Sequence, residues 1–74
     1  MDKKRFLKQL GANIARVRKS KGYSQDKIYL LAGFSRGTMS KIENGLVDPK
    51  ISTLMKIAEV IDVPISKLVQ IQKD

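Results

Sequence analysis

The fold of this chain is decided by residues 25–44, which read QDKIYLLAGFSRGTMSKIEN. The pattern predicts one helix in which Ile28 and Leu31 face inward, followed by a short connection to a second helix. Gly33 supplies the positive φ that a sharp turn needs, and Ser35 is a suitable N-cap for the second helix. Two helices joined by a short turn that contains glycine form a helix-turn-helix.

Helices are also predicted on both sides of this stretch. Before it, apolar residues recur at steps of three and four, the period of one helix face, at Phe6, Leu10, Ile14 and Val17. Gly22 is expected to end that first helix, and Ser24 to cap the next. A fourth helix should start near residues 50–53, and Pro64 suits the first turn of a fifth. Because no stretch alternates with period two, the prediction is an all-α fold of five helices.

Length and composition exclude several classes of protein. With 74 residues the chain has room for one domain, which we expect to span residues 1–74. It has no His and no Cys, so the commonest general base, the thiol nucleophile and the usual metal ligands are missing. We therefore expect no catalytic residue, no metal, no cofactor and no small-molecule ligand, and we predict that the chain is not an enzyme. Because no apolar run approaches the ~18 residues of a membrane span, a cytoplasmic location is expected.

The positive charge is concentrated in the first 27 residues. The net charge is +8 and the pI is about 10.1, and nine of the 15 basic residues lie in residues 1–27 with two of the seven acidic ones. A basic surface of this kind favours a polyanionic partner. Few aromatic side chains are available to stack on single strands, so double-stranded DNA is the better candidate. A membrane-surface helix over residues 3–21 is an alternative explanation for the same cations.

The outer side of the third predicted helix carries residues suited to contact bases. Met39 and Ile42 face inward, so helical spacing turns five other residues outward, none of them acidic: Arg36, Gly37, Ser40, Lys41 and Asn44. The first four are the base-reading candidates, because arginine, lysine and serine can all reach base edges in the major groove. A glycine inside a helix costs roughly 0.5–1 kcal/mol relative to alanine. Gly37 therefore indicates either a close approach of the backbone to the groove or neutral drift.

Phosphate contacts are expected at the ends of the predicted helices. Helix N-termini attract phosphate groups through their free N–H groups and their dipole. The candidates at or near helix ends are Ser24, Gln25, Ser35, Asn44 and Lys50. Each of them also suits a plain cap or turn, and that alternative stays open.

The segment from about Ile14 to Leu68 resembles the Cro/C1-type helix-turn-helix family of phage repressors and related bacterial regulators. The resemblance implies a compact five-helix, lambda-repressor-like DNA-binding domain in which helices two and three form the helix-turn-helix. Its small size is similar to that of restriction–modification controller proteins, Cro-like regulators and some antitoxins. The motifs that carry the resemblance are Val17-Arg18, Lys21-Gly22-Tyr23-Ser24-Gln25, Ala32-Gly33-Phe34-Ser35 and Ile42-Glu43-Asn44-Gly45.

The resemblance also implies roles for individual residues. Gln25 would bind phosphate and brace the recognition helix, and Arg36 and Lys41 occupy base-reading positions. Arg18 and Glu43 match an ion pair between helices one and three. If partly buried, such a pair fixes the angle between the helices, because the loss of one partner strands the other charge.

Two residues depart from the family pattern. Tyr29 stands where the family has alanine at the close crossing of helices two and three, so it must either tilt outward or open the crossing angle. Lys50 replaces the usual capping serine and leaves the start of helix four undefined. Gly37 also stands where the family often has a base-reading side chain.

A dimer is expected because one recognition helix reads only a few base pairs, whereas dimers bind two half-sites on roughly palindromic DNA. The fifth helix has more apolar residues than a small core needs, and the candidates for dimer contact are Val63, Ile65, Leu68, Val69 and Ile71. They could instead cap the core of the monomer.

The predicted function is therefore that of a sequence-specific transcriptional regulator. We expect a homodimer of the controller, Cro or repressor type, whose DNA affinity follows its own concentration through dimerisation. An activator of this kind would also contact RNA polymerase. The main alternative is an antitoxin or another protein-interaction module that uses the same fold to bind a protein partner.

Overall fold

The computed structural model describes residues 2–71 and contains five helices and no strand in that range. The prediction of an all-α fold with five helices is confirmed. The helices are α1 (Lys3–Ser20), α2 (Gln25–Ala32), α3 (Thr38–Glu43), α4 (Ile51–Ile61) and α5 (Ile65–Leu68).

The five helices share one hydrophobic core. Helix α1 packs against α3 and α5, α2 packs against α3 and α4, and α4 also packs against α5. The predicted apolar side of α1 is confirmed by the burial of three of its residues, and Phe6 packs against the edge of the core. The buried apolar residues are Leu10, Ile14, Val17, Ile28, Ala32, Met39, Ile42, Leu54, Ile57, Ala58, Ile61 and Leu68.

The ends of α1 and α2 follow the predicted capping pattern. Gly22 has a φ of 79° directly after α1. The Ser24 hydroxyl oxygen accepts a hydrogen bond from the Lys27 amide at 3.0 Å, as an N-cap does. Gly33 ends α2 with a φ of 76°, a value that glycine adopts without a steric penalty. These caps fix the length of α2 and the direction in which the chain leaves it.

The start of α3 differs from the prediction. Ser35 is not the N-cap, because α3 begins at Thr38 and Gly37 occupies the cap position without a side-chain hydrogen bond. The Thr38 amide donates to the Ser35 carbonyl at 3.2 Å, which closes a turn through Arg36 and Gly37. Gly37 has a φ of 88°, so this turn requires a residue that tolerates the left-handed region. The prediction that Gly37 lies inside the helix, with the cost that this implies, was therefore wrong.

The predicted inward orientation of Leu31 in α2 is wrong, and α5 is a short helix. Leu31 is 60% exposed, because Ile28 and Ala32, four residues apart, form the buried side of α2 and Leu31 lies beside it. Helix α5 has only four residues, so Val69 is its C-cap and not part of a longer apolar face. Only Leu68 of α5 is fully buried.

Polar and charged groups are accommodated throughout the described part of the chain. From residue 2 to residue 71, every buried side-chain nitrogen or oxygen has a hydrogen-bond partner. No cluster of potential metal-binding side chains occurs among these 70 residues. None of the five helices within residues 2–71 is both long enough and apolar enough to cross a membrane.

Candidate nucleic-acid interface

A buried ion pair joins α1 to the end of α3. The Arg18 Nε donates to Glu43 Oε2 at 2.6 Å, and Arg18 Nη2 donates to Glu43 Oε1 at 2.9 Å. The two side chains are only 9% and 6% exposed. Arg18 Nη1 also donates to the Tyr23 carbonyl at 2.8 Å, so the guanidinium holds the α1–α2 connection as well. The predicted pair of Arg18 and Glu43 is confirmed, and its two parallel hydrogen bonds fix its geometry.

Gln25 completes this network from the first turn of α2. Its Nε2 donates to Glu43 Oε1 at 2.9 Å, so one carboxylate receives hydrogen bonds from both α1 and α2. This contact accounts for the bracing role that the resemblance implied for Gln25. Glu43 is the last residue of α3, and its two partners therefore hold that end of the helix in place.

A glycine that the sequence reasoning missed brings α1 close to α3. A methyl group added at Gly11 would meet the backbone carbonyl of Ile42 and would lie 2.6 Å from the Glu43 carbonyl oxygen. Only a residue without a side chain allows this approach of the two helices. The sequence could have indicated this contact, because a glycine inside a predicted helix often marks a close approach to a neighbouring element.

The outward side of α3 and the turn before it are polar and accessible. Arg36 and Lys41 are exposed, and Ser40 and Gly37 are half-buried. Arg36 owes its exposure to the turn that precedes α3 and not to helical spacing. The inward residues of α3 are Met39 and Ile42, as predicted.

The predicted phosphate-contact residues lie at the ends of three helices. Ser24 is exposed at the N-cap of α2, and Lys50 is exposed at the N-cap position of α4, where no side chain caps the helix. Ser35 is exposed in the turn before α3. Asn44 is exposed at the C-cap of α3, and its Nδ2 donates to the Ser40 carbonyl at 2.8 Å.

Tyr29 does not protrude into solvent. It is half-buried and packs against the hydrophobic core from α2. The Tyr29 carbonyl accepts a hydrogen bond from the Phe34 amide at 2.9 Å, which helps to close the turn after α2. The side chain therefore contributes to the packing around the helix-turn-helix.

The C-terminal residues predicted for dimer contact differ in their exposure. Leu68 is completely buried within the chain itself, so its side chain has no surface to offer a partner. Val69 is 39% exposed. The three others, which are half-buried at the edge of the core, are Val63, Ile65 and Ile71.

A polar residue of α1, also missed by the sequence reasoning, anchors α5. Asn13 Nδ2 donates to the carbonyls of Lys67 and Leu68 at 2.9 and 2.8 Å, and its Oδ1 accepts from Arg16 Nη2 at 2.6 Å. These bonds satisfy carbonyls at the end of α5 that have no partner within a helix of four residues. The signal was a residue of low helix propensity within a predicted helix.

Comparisons with known sequences agree with this arrangement. A family model described as helix-turn-helix, HTH_3, matches residues 14–68. An uncharacterised HTH-type transcriptional regulator of Sinorhizobium fredii is 36% identical over 62 residues, which cover 84% of this chain and 80% of that protein. The ImmF control region 10 kDa protein of Bacillus phage phi105 is 40% identical over 67 residues, which cover 88% of this chain and 74% of that protein.

Solved structures with the same arrangement of helices are also known. The restriction-modification controller protein C.AhdI from Aeromonas hydrophila has a TM-score of 0.80 and 26% identity, with coverage of 84% of this chain and 94% of that one. The DNA-binding domain of BldD has a TM-score of 0.79 at 22% identity, with coverage of 95% and 100%. The second likeness concerns the fold alone.

Proposed function

This chain belongs to the Cro/C1-type helix-turn-helix family of DNA-binding transcriptional regulators, and from that premise we propose that it binds its operator as a homodimer with α3 in the major groove. The family is non-enzymatic, so the chain is a regulator and not an enzyme. We further propose that it acts in the cytoplasm on a roughly palindromic site, as a controller, Cro-like or repressor protein.

The observation that carries the proposal is the contrast between the two sides of α3. Its inner side is fixed by the burial of Met39 and Ile42 and by the Glu43 network. Its outer side, together with the preceding turn, exposes Arg36 and Lys41. Because the inner side of α3 is fixed, its outer side chains are presented in one geometry. Discrimination between base pairs requires such a defined geometry.

Base contacts are assigned to α3 and the turn before it. In helix-turn-helix proteins the N-terminal residues of the recognition helix contact base edges. We assign Arg36 to guanine through its two-donor fork, and Lys41 and Ser40 to base edges or nearby phosphates. Gly37 is part of this surface through its backbone, since its positive φ already requires glycine there.

Phosphate contacts are assigned to residues that still have a free donor. Gln25 donates one amide hydrogen to Glu43, and its second amide hydrogen is proposed to meet a phosphate. The Ser24 hydroxyl accepts from Lys27, which leaves its own hydrogen to donate. Lys50 supplies a charge at the start of α4, where the helix dipole also favours a phosphate. Ser35 belongs to this proposed set through its exposed hydroxyl. Asn44 stays in the set because it is exposed at the C-cap of α3, although its Nδ2 donates to the carbonyl and hydroxyl oxygens of Ser40 and would have to release one of them.

The proposed dimer contact uses the half-buried and exposed apolar residues that follow α4. Their partly exposed surfaces would be covered by the same residues of a second copy, as a two-fold interface requires. Two apolar residues of α4 that the sequence reasoning did not assign, Ile51 and Met55, are 63% and 56% exposed and add to the apolar surface of this chain. The residues assigned to the contact are Val63, Ile65, Val69 and Ile71.

Selection of binding sites from random duplexes tests the function. We expect an enriched sequence with two-fold symmetry and half-sites about 34–36 Å apart, bound by two chains per site. Sedimentation with the enriched duplex gives the stoichiometry. The proposal fails if no sequence is enriched, or if one chain occupies an asymmetric site.

A protein-interaction module, such as an antitoxin, is the second candidate. It is favoured by two adjacent leucines of α2, Leu30 and Leu31, which are 69% and 60% exposed. Neighbouring exposed apolar side chains favour a protein partner where they form part of a larger patch. The same selection distinguishes the candidates, because a chain whose only role is to bind protein enriches no DNA sequence.

A further inference from the structure

We propose that Lys4 and Lys8, in the N-terminal half of α1, form an additional contact with DNA phosphates beside the C-terminal end of α3. The inference rests on the proposed function in one respect, because α3 must lie on DNA for this surface to reach the backbone. It adds a contact region before residue 14, where the match to the family model begins.

The packing of α1 brings these two lysines to the loop after α3. Lys4, Lys8 and Gly11 are spaced by four and three residues and therefore lie on one side of α1. Gly11 meets the backbone of Glu43, at the end of α3. A methyl group added at Gly45 would lie 2.8 Å from Lys8 Cα and 2.9 Å from Lys8 Cγ, so the Lys8 side chain runs over the loop that follows α3. Both lysines are exposed and extend the cationic surface beyond the recognition helix.

Helix stability does not explain the charges in this part of α1. The 18 residues of α1 include no acidic residue, and its first turn carries Lys3, Lys4 and Arg5. The N-terminal end of a helix dipole is positive and disfavours cations. Lys4 and Lys8 are four residues apart, a spacing at which like charges repel each other. A polyanionic partner would convert these unfavourable charges into favourable ones.

The acidic groups next to the two lysines are already engaged. Lys3 Nζ lies 3.1 Å from Asp48 Oδ2, in the loop that follows α3. Asp2 is the N-cap of α1, and its Oδ1 accepts from the Lys4 amide at 3.0 Å. An open groove of about 420 Å³ lies on this part of the helix, and the residues that line it are Asp2, Lys4, Arg5, Lys8, Gln9 and Ala12. Three of these six residues are cationic and one is acidic.

DNA fits this surface better than a lipid membrane does. A helix that lies on a membrane inserts an apolar side, flanked by cations, into the lipid. The apolar side of α1 is instead buried in the core through Leu10, Ile14 and Val17. The exposed side of α1 carries the ammonium groups of Lys4 and Lys8 and no large exposed hydrophobic residue, which suits the phosphate backbone.

The test compares Lys4→Gln/Lys8→Gln with Lys56→Gln/Lys67→Gln, a control that removes the same charge from exposed positions of α4 and α5. Binding of each protein to the selected duplex and to a random-sequence duplex is measured between 50 and 200 mM salt. The salt slope is the slope of the logarithm of the binding constant against the logarithm of the salt concentration. If both lysines contact phosphates, the magnitude of this slope falls by about two, and affinity at 0.1 M salt falls about tenfold or more on both duplexes. The sequence that the variant selects should be the same as that of the parent. Ethylation of individual phosphates near the end of α3 should weaken binding of the parent protein but should no longer weaken binding of Lys4→Gln/Lys8→Gln.

The outcomes separate this inference from the proposed function. An equal fall in salt slope for the control variant, or an unchanged slope for Lys4→Gln/Lys8→Gln, overturns the lysine contact. If the parent protein enriches no sequence, the proposed function is refuted. The salt slope on the random-sequence duplex still decides whether Lys4 and Lys8 contact phosphates. Loss of binding to phosphatidylserine vesicles with unchanged DNA binding would assign the two lysines to a membrane and also overturn the inference. Thermal unfolding guards against misfolding, because removing repelling charges should leave the stability of the double variant equal or higher.

Discussion

Removal of one partner of the buried ion pair should destabilise the domain far more than removal of both. Arg18→Met leaves the Glu43 carboxylate, 6% exposed, with the Gln25 amide as its remaining side-chain hydrogen-bond donor. Stranding a buried charge costs about 3–5 kcal/mol. A chain of 74 residues has a total stability of about 4–11 kcal/mol, so this single change removes a large part of it. Glu43→Leu should have a similar cost, because it strands Arg18.

The double variant Arg18→Met/Glu43→Leu removes both charges together. It should cost only about 1–3 kcal/mol, since apolar side chains of similar size replace the pair and only the Tyr23 carbonyl and the Gln25 amide lose a partner. The free energies of unfolding are measured by urea titration, followed by circular dichroism. Variants that are unfolded in buffer are measured with added sucrose, which favours the compact state.

An exposed ion pair provides the control. Lys3 and Asp48 are 74% and 62% exposed, so Lys3→Gln should cost less than about 1 kcal/mol. The reasoning is refuted if Arg18→Met costs as little as Lys3→Gln, or if the two single losses simply add in the double variant. The double variant should also bind DNA less tightly than the parent even when it is fully folded. The reason is that the Glu43 carboxylate no longer holds Gln25 and the end of α3 in place.

Three further changes test the packing around α3 and α5. Gly37→Ala should cost about 1–2 kcal/mol in unfolding free energy through backbone strain alone, and Gly37→Asn less, because asparagine tolerates positive φ; equal losses would contradict this. Gly11→Ala should cost about 1–3 kcal/mol in unfolding free energy and weaken DNA binding, because the methyl group displaces the Glu43 carbonyl. A variant as stable as the parent would show that α1 and α3 can move apart at little cost. Asn13→Leu should cost about 1–3 kcal/mol in unfolding free energy and should speed hydrogen exchange of the α5 amides more than that of the α2 amides. An equal increase in exchange rate in both helices would show that the bonds to the carbonyls of Lys67 and Leu68 do not anchor α5.

The parts of the fold that the sequence predicted are those set by periodicity and by strong local signals. The apolar side of α1 repeats at three and four residues, and Ser24 and Gly33 cap α2 as their chemistry suggests. The ion pair of Arg18 and Glu43 could be anticipated only from the family resemblance, because 25 residues separate its partners.

The start of α3 could not be predicted because two local signals compete there. Ser35 is the better capping residue, but Gly37 alone tolerates the φ of 88° in the turn that precedes α3. The burial of Met39 and Ile42 fixes the position of α3, and that is a tertiary constraint. Asn13 was missed for the same reason, because its partners lie in α5, far along the chain.

The exposure of the candidate base-reading residues was predicted better than that of the surfaces around them. Arg36 and Lys41 are exposed as expected, Lys41 because Met39 and Ile42 form the buried side of α3 and Arg36 because it lies in the turn before that helix. Leu31 was assigned inward because its spacing from Ile28 fits a helix face, yet Ala32 fills that place and Leu31 remains exposed. Which of several apolar residues reaches the core depends on the neighbouring helices and not on spacing alone.

The central claim is that the outer side of α3 and its leading turn read base pairs, and site selection with two variants tests it most directly. Arg36→Ala should lose about 1–3 kcal/mol of binding and relax the preference at one base position in each half-site. Lys50→Ala, assigned to a phosphate, should weaken binding evenly across sequences and lower the salt slope by about one. If Arg36→Ala keeps both the affinity and the selected sequence of the parent, the placement of α3 in the major groove is contradicted.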